Sequence, residues 1–253
     1  MSRVNVRKIR GLFVTGTDTG VGKTVVTAAI TAMLRAEGMN LGVWKPVQSG
    51  ALIGSGTTDA ERLLKSTGIN ESLEAVAPFT YEAPLAPMLA ARQAGATLKL
   101  EDVIAAGLPL AARYEALIVE GAGGVAVPLT ENALVADLIA ELSMPALIVA
   151  RSGLGTVNHT LLTVSYLRQR GIPIVGVVLN DGESAESELN DDPSVAANAQ
   201  LIEQYGGIGV LGRFPRVHAE ATAEMLNQTA RRTLSLTPIR EALFKDENDD
   251  AVD

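Results

Sequence analysis

The sequence predicts a single doubly wound α/β domain: a mostly parallel sheet with helices on both faces, built around a phosphate-binding loop. Three observations predict it. Short, continuously apolar runs recur along the chain, as strands buried on both faces require. Segments of helical character separate those runs, which is the pattern of a parallel sheet with crossover helices. The first apolar run also leads through L-F-V-T-G-T-D-T-G-V-G-K-T, Leu12 to Thr24, into a helical segment.

In chain order, Leu12–Thr15 reads as the first strand and Val25–Glu37 as the helix after the loop. Leu41–Pro46 is the second strand, stopped by its proline. Thr58–Ser66 reads as a short helix with Thr57 or Thr58 as N-cap, and Val76–Thr80 as a brief strand. Leu85–Gln93 and Leu100–Tyr114 have helical character, with Pro109 expected to interrupt the second. The strands Ala116–Val119, Ala146–Ala150, Ile174–Leu179 and Ile208–Leu211 follow, separated by helices over Glu131–Leu142, Val157–Arg170 and Ser194–Tyr205. Glu183–Asp192 is expected to be a solvated loop, and the acidic tail Lys245–Asp253 to be disordered. No internal repeat or Pro/Gly/Ser linker divides the chain, so residues 1–253 are expected to form one domain.

Composition narrows the function. Of 253 residues, 47% are hydrophobic and 20% charged, which is globular. With no cysteine there is no disulfide, thiolate metal site or cysteine nucleophile, and His159 and His218 are too few for a multi-histidine metal centre. A net charge of −8 argues against nucleic acid as a partner. No apolar run is long enough to span a membrane, and the first residues lack an apolar signal core, so a cytoplasmic protein without membrane contact is expected.

In a doubly wound sheet, ligands bind beyond the carboxyl ends of the strands, and candidate residues are sought there. Within the loop, Thr19, Gly20, Val21, Gly22, Lys23 and Thr24 would turn backbone N–H groups toward phosphate oxygens at a helix N-terminus. Lys23 would neutralise the β/γ oxygens and the Thr24 hydroxyl would ligate Mg²⁺. The loop departs from the strict G-x-x-x-x-G-K-[ST] form, since Thr17 stands where a glycine is required and Gly16 lies one residue earlier. Glu120 ends the run A-L-I-V and precedes Gly121, Ala122, Gly123 and Gly124. It is either a surface acid or a Walker-B-like Mg²⁺ ligand, and the adjoining glycines favour the second. Asp59 either stabilises the start of its helix or joins Thr24 and Glu120 on the metal. Lys45, at a strand tip before Pro46-Val47-Gln48-Ser49-Gly50, fits a solvated lysine as well as one facing an anionic acceptor. Leu154, Gly155, Thr156, Val157 and Asn158 open a helix whose N–H groups suit a carboxylate; an ordinary strand-to-helix turn fits too.

Taken together, these motifs closely resemble the dethiobiotin synthetases over nearly the whole chain, to about Val217. They are V-T-G-T-D-T-x-V-G-K-T (Val14–Thr24), K-P-V-x-S-G (Lys45–Gly50), Asp59, V-E-G-A-G-G (Val119–Gly124), L-G-x-x-N-H (Leu154–His159) and Asn180 after G-V-V-L. The family carries a threonine at the position of Thr17. The resemblance implies an Mg²⁺- and ATP-dependent ring closure with 7,8-diaminononanoate and CO₂ (or bicarbonate) as co-substrates, another nucleoside triphosphate being an alternative to ATP. It implies Lys23 and Lys45 as catalytic residues, Thr24, Asp59 and Glu120 as metal ligands, and Thr19 and Ser49 at the reacting end of the diamine. Residues Leu154–Asn158 of a second subunit would hold the substrate carboxylate, which implies a homodimer. Asn180 and the loop Pro215, Arg216, Val217 correspond to residues flanking the base, although G-R-F-P-R-V departs from the commoner form.

Two rivals share such loops. Partitioning and septum-positioning switch ATPases carry a signature lysine four residues before the loop's second glycine, where this chain has Asp18. Amide ligase domains of the cobyrinate type have similar loops, but K-P-V-Q-S-G and the absence of a glutaminase segment favour the diamine substrate.

Overall fold

The structure, a computed structural model, describes residues 9–182, 192–218 and 220–244. Its strands are β1 (Gly11–Gly16), β2 (Leu41–Trp44), β3 (Val47–Ser49), β4 (Phe79–Tyr81), β5 (Ala116–Gly124), β6 (Ala146–Arg151), β7 (Ile174–Asn180) and β8 (Val210–Phe214). Its helices are α1 (Lys23–Ala36), α2 (Asp59–Thr67), α3 (Leu73–Val76), α4 (Pro87–Gln93), α5 (Leu100–Ala111), α6 (Val135–Leu142), α7 (Thr156–Gln169), α8 (Ser194–Gly206), α9 (Ala223–Thr233) and α10 (Thr237–Phe244). Six strands form one parallel sheet in the order β2-β5-β1-β6-β7-β8.

Alternate residues of each strand feed two cores. Leu12, Val14, Ile118, Leu147, Val149 and Val178 pack beneath α1, α2, α9 and α10. Phe13, Leu117, Val119, Ile148, Val177 and Leu179 face α4 to α8 on the other side. Both faces are therefore dry, which is why the strands read as unbroken apolar runs. The helix over Thr58–Ser66 is α2, and Thr58 is its N-cap: its hydroxyl accepts from Glu61 N at 3.2 Å, and Thr58 N donates to the Glu61 carboxylate at 2.9 Å.

Several expected elements differ. Val76 closes the short helix α3, entered through the Ser72 hydroxyl, so the strand begins only at Phe79. That strand pairs with β3 in a second, two-stranded parallel sheet, and β3 was not expected because Pro46 precedes it. Pro109 does not break α5, because it falls in the last turn, where only one donor is lost and Ala112 N still reaches Leu108 O at 3.0 Å. The helix expected from Glu131 starts at Val135; residues 128–134 are a turn closed by Leu129 N to Ala133 O, and Asp137 accepts from Leu134 N at 2.7 Å. β8 ends at Phe214, not Leu211. As an edge strand it tolerates the exposed Arg213 that follows Gly212, the residue that closed the apolar run. β5 continues through Glu120 to Gly124, meeting Gly16 beyond a register shift in β1. Residues 183–191 of the expected loop and the tail 245–253 lie outside the described residues.

Candidate functional site: a cleft at the carboxyl edge of the sheet

The ends of β1, β5, β7 and β8 open into a cleft of about 1090 Å³, walled by α2, the 84–87 segment and the 215–218 loop. The loop between β1 and α1 forms its floor. Gly22 is the N-cap of α1 with φ 88°, and a Cβ there would lie 2.0 Å from Asn180 Nδ2. Only glycine fits. Asn180 donates from Nδ2 to Val21 O at 2.9 Å, so β7 braces the loop from behind. The displaced glycine also has a structural cause. A Cβ on Gly16 would fall 2.8 Å from Val21 Cγ2 and 3.1 Å from Lys23 Nζ, while Thr17 N donates to Val149 O at 3.0 Å. The close approach is therefore made at residue 16, and residue 17 is free to carry a side chain.

Lys23 is buried, and its Nζ donates to Asp18 O at 3.0 Å. Burial, and then the nearby Lys45 charge, lower its pKa to about 8 against the pull of Glu120, Asp59 and Asp18. Lys45 Nζ lies 2.7 Å from both Asp59 Oδ2 and Glu120 Oε1 and 3.1 Å from Gly121 O. Thr24 Oγ1 donates toward the same carboxylates, at 3.2 Å to Asp59 Oδ1 and 3.0 Å to Glu120 Oε1. One ammonium thus serves two carboxylates. Burial would lower Lys45, yet Glu120 and Asp59 together hold it above the ordinary lysine value. Burial raises Glu120, the deeper acid, despite Lys45. Burial also opposes ionisation of Asp59, but Lys45 and its hydrogen bonds with Lys45 and Thr24 bring that acid below the ordinary range.

A hard cation fits this constellation. Thr24, Asp59 and Glu120 present only oxygen donors, and Glu120 Oε2 is buried without a hydrogen-bond partner, an acceptor left over for a metal. Among the described residues no group of three or more His, Cys, Asp or Glu side chains gathers to hold a metal. A magnesium ion here would therefore complete its shell with phosphate oxygens and water.

The structure brings most sequence-assigned residues into this one cleft: Thr19, Gly20, Gly22, Lys23, Thr24, Lys45, Ser49, Asp59, Glu120, Ala122, Gly123, Asn180, Pro215, Arg216 and Val217 line it. Val21 and Gly121 act from behind through their carbonyls. Ser49 Oγ donates to Leu85 O at 2.7 Å, tying β3 to the 84–87 wall. Leu154, Gly155, Thr156, Val157 and Asn158 do not line the cleft of their own chain. At that helix start Leu154 N donates to Asp192 Oδ2 at 3.0 Å, so a carboxylate of the chain itself sits where the sequence assigns the substrate's tail.

Sequence reasoning passed over three residues. Gln48, buried in β3, accepts from Ala60 N at 3.1 Å and donates to Thr80 Oγ1 at 3.0 Å, which sets the entry of α2 and so Asp59. Its place inside K-P-V-Q-S-G was the available signal. Arg151 pairs with Asp18 at 2.9 Å and reaches Thr19 O at 3.3 Å; only its position at a strand tip hinted at this. Arg62 lines the cleft three residues after Asp59, on the same helix face.

A family model described as an AAA domain matches residues 10–223. The chain is 53% identical over 194 residues to the ATP-dependent dethiobiotin synthetase BioD of Anaeromyxobacter dehalogenans (strain 2CP-C), covering 77% of this chain and 84% of that protein. It is 40% identical over 238 residues to the ATP-dependent dethiobiotin synthetase BioD of Bacillus cereus (strain G9842), covering 94% and 96%. Among solved structures, a ParA family ATPase from Chlorobium tepidum TLS matches with a TM-score of 0.51 at 15% identity, over 95% of this chain and 100% of that one. The MinC:MinD cell division protein complex of Aquifex aeolicus matches with a TM-score of 0.51 at 15% identity, over 88% and 95%. At such identity these two likenesses concern the fold alone.

Proposed function

This chain belongs to the ATP-dependent dethiobiotin synthetases, and from that premise we propose how its cleft carries out the reaction. The enzyme is a ligase of biotin biosynthesis that forms C–N bonds at the expense of ATP, acting on 7,8-diaminononanoate and CO₂. One amine of the diamine takes up CO₂ as a carbamate. A carbamate oxygen attacks the γ-phosphorus, the bond to the β-bridging oxygen breaks, and ADP leaves. The second amine then attacks the carbonyl carbon, the C–O bond to phosphate breaks, and the cyclic urea closes.

The observation that carries the site assignment is Lys45, buried beside the loop and shared between Asp59 and Glu120. The carbamate is a weak anionic nucleophile, so it must be brought to a triphosphate against their mutual repulsion. Lys23 neutralises the β/γ oxygens from the loop. Lys45, held on one side by carboxylates, holds the carbamate and the γ-phosphate together from the opposite strand. Thr24, Asp59 and Glu120 would hold magnesium, which would supply further positive charge to the triphosphate. Thr19 and Ser49 orient the diamine. Asn180, with Pro215, Arg216 and Val217, flanks the base, and the loop amides with Gly121, Ala122 and Gly123 accommodate the phosphates.

The working form we propose is a homodimer, each chain being one catalytic domain. Leu154–Asn158 lie away from their own cleft, and Leu154 and Leu162 are exposed at 86% and 62%, apolar surface that a second copy would cover. In that arrangement the α7 entry holds the carboxylate tail of a diamine bound in the partner's cleft. No described helix is long and apolar enough to cross a membrane, and a cytoplasmic location suits an enzyme that consumes ATP. The switch-ATPase reading is not favoured: it rests on fold alone, and Asp18 replaces the signature lysine.

Incubation of the purified protein with diaminononanoate, bicarbonate, Mg²⁺ and ATP is expected to yield dethiobiotin, detected by mass. Absence of product, with phosphate release stimulated by DNA or lipid instead, would overturn the assignment. A monomeric mass by light scattering at working concentration would contradict the shared carboxylate site.

A further inference from the structure

The arginines of the described residues are almost all committed. Among the described residues, Arg92, Arg113, Arg151, Arg170, Arg213, Arg231 and Arg240 pair with carboxylates. Arg35 and Arg168 bond backbone carbonyls, and Arg10 bonds Leu243 O. Only the side chains of Arg62, Arg216 and Arg232 among the described residues have no hydrogen-bond or ion-pair partner, and Arg62 and Arg216 both line the cleft. Both are exposed, so each brings a solvated positive charge to the cleft that no carboxylate of the chain neutralises.

The charge balance of the cleft says what that is. The two lysines, Lys23 and Lys45, balance its two lining carboxylates, Asp59 and Glu120. The excess positive charge therefore comes from Arg62 and Arg216. A nucleoside triphosphate needs that excess, because the lysines are already engaged at its β/γ end. Position decides which part Arg62 meets. It lies one turn along α2 from Asp59, and Ser66 continues the same stripe toward the 215–218 loop and Leu226. Arg62 thus stands between the carboxylate end of the cleft and the end assigned to the base. Its helix is well anchored: Glu61 and Thr58 cap it, Gln48 bonds Ala60 N, and Lys65 pairs with Glu220 across the outer end.

We propose that Arg62 is a nucleotide-binding residue that grips the α/β-phosphate segment from α2. This deepens the proposed function and rests on it. Because the guanidinium acts on the inner phosphates, ADP and ATP should depend on it alike, and the diamine should not.

The test compares wild type, Arg62→Ala and Arg62→Lys by calorimetric titration with ADP and with ATP, and by steady-state kinetics. Loss of one charge-assisted phosphate contact is expected to weaken both nucleotides by about tenfold in Arg62→Ala. Arg62→Lys should recover most of that loss. KM for ATP should rise while KM for the diamine stays constant and kcat stays within about twofold. Wild-type protein that binds no nucleotide would refute the functional reading itself. Wild type that binds, with Arg62→Ala binding equally well, would refute only the role of Arg62. Loss confined to ATP would also overturn the proposal, since it would place the arginine at the γ-phosphate. So would equal rises in both KM values, which would mark a general disturbance of the fold.

Discussion

Replacing Lys45 by Met tests the centre of the site while keeping most of the side chain's apolar stem. Lys45 is 2% exposed, and its ammonium is the nearest cation to Glu120, which is 1% exposed. Removing one partner of a buried pair costs about 3–5 kcal/mol, because the remaining charge is left uncompensated. The Asp59 side chain is 36% exposed, so water relieves part of the loss and the lower end of that range applies. A loss of about 3 kcal/mol should lower the melting temperature by roughly 6–12 °C in a protein of this size. Two additions should rescue the variant. Magnesium can settle on the vacated carboxylates. Falling pH does the same work, because Glu120, already raised by burial, rises further without Lys45. With a folded pKa above its unfolded value, Glu120 contributes stability at low pH that is lost as pH rises through the folded pKa. Differential scanning fluorimetry across pH, with and without Mg²⁺, measures both effects. Turnover should fall by at least about a hundredfold, with nucleotide affinity within a few-fold of wild type. A variant that melts like wild type without magnesium, or that turns over normally, would refute the reasoning.

Three further outcomes are expected. Lys23 has a pKa near 8 in the free protein, and a bound triphosphate stabilises its charged form. Nucleotide affinity measured by titration should therefore be flat below pH 8 and fall by up to about tenfold per unit above it; an affinity constant to pH 10 would contradict this. Glu61 is held down to about 2 by its hydrogen bonds from Thr58 and by backbone groups of the preceding turn. Its contribution is present above its unfolded value of 4.5 and lost as pH falls toward 2, so Glu61→Gln should flatten the melting temperature over that window, and an unchanged profile would count against the capping box. Gly107→Ala would place a Cβ 2.6 Å from Trp44 Cη2 across the α5–β2 contact. Overpacking of this kind should cost about 1–3 kcal/mol in urea unfolding without altering nucleotide affinity; no change would mean the indole repacks freely.

What the sequence determined by itself was the layered sheet and the place of the glycine-rich loop within it. Unbroken apolar strands such as Ala146–Ala150 are legible because both faces are covered, and Gly22-Lys23-Thr24 is legible because phosphate binding demands adjacent residues. Elements governed by local competition were less legible. Phe79–Tyr81 becomes a strand only because β3 lies beside it, and the entry of α6 depends on which turn Leu129 and Ala133 close. The electrostatics belong to tertiary structure entirely. Lys45 and Glu120 are 75 residues apart, and Thr24 and Asp59 35 apart, and nothing local in the chain says that one buried ammonium will serve two carboxylates. The same holds for Gly16, whose displacement from the strict loop pattern has its cause in Val21 and Lys23 folding back over it. It holds for Arg62, one of three arginines among the described residues whose side chains have no partner. Spacing can name the groups a loop requires, but distance and desolvation, which fix their charge and their partners, exist only once β2, β5 and α2 have been brought to the same edge of the sheet.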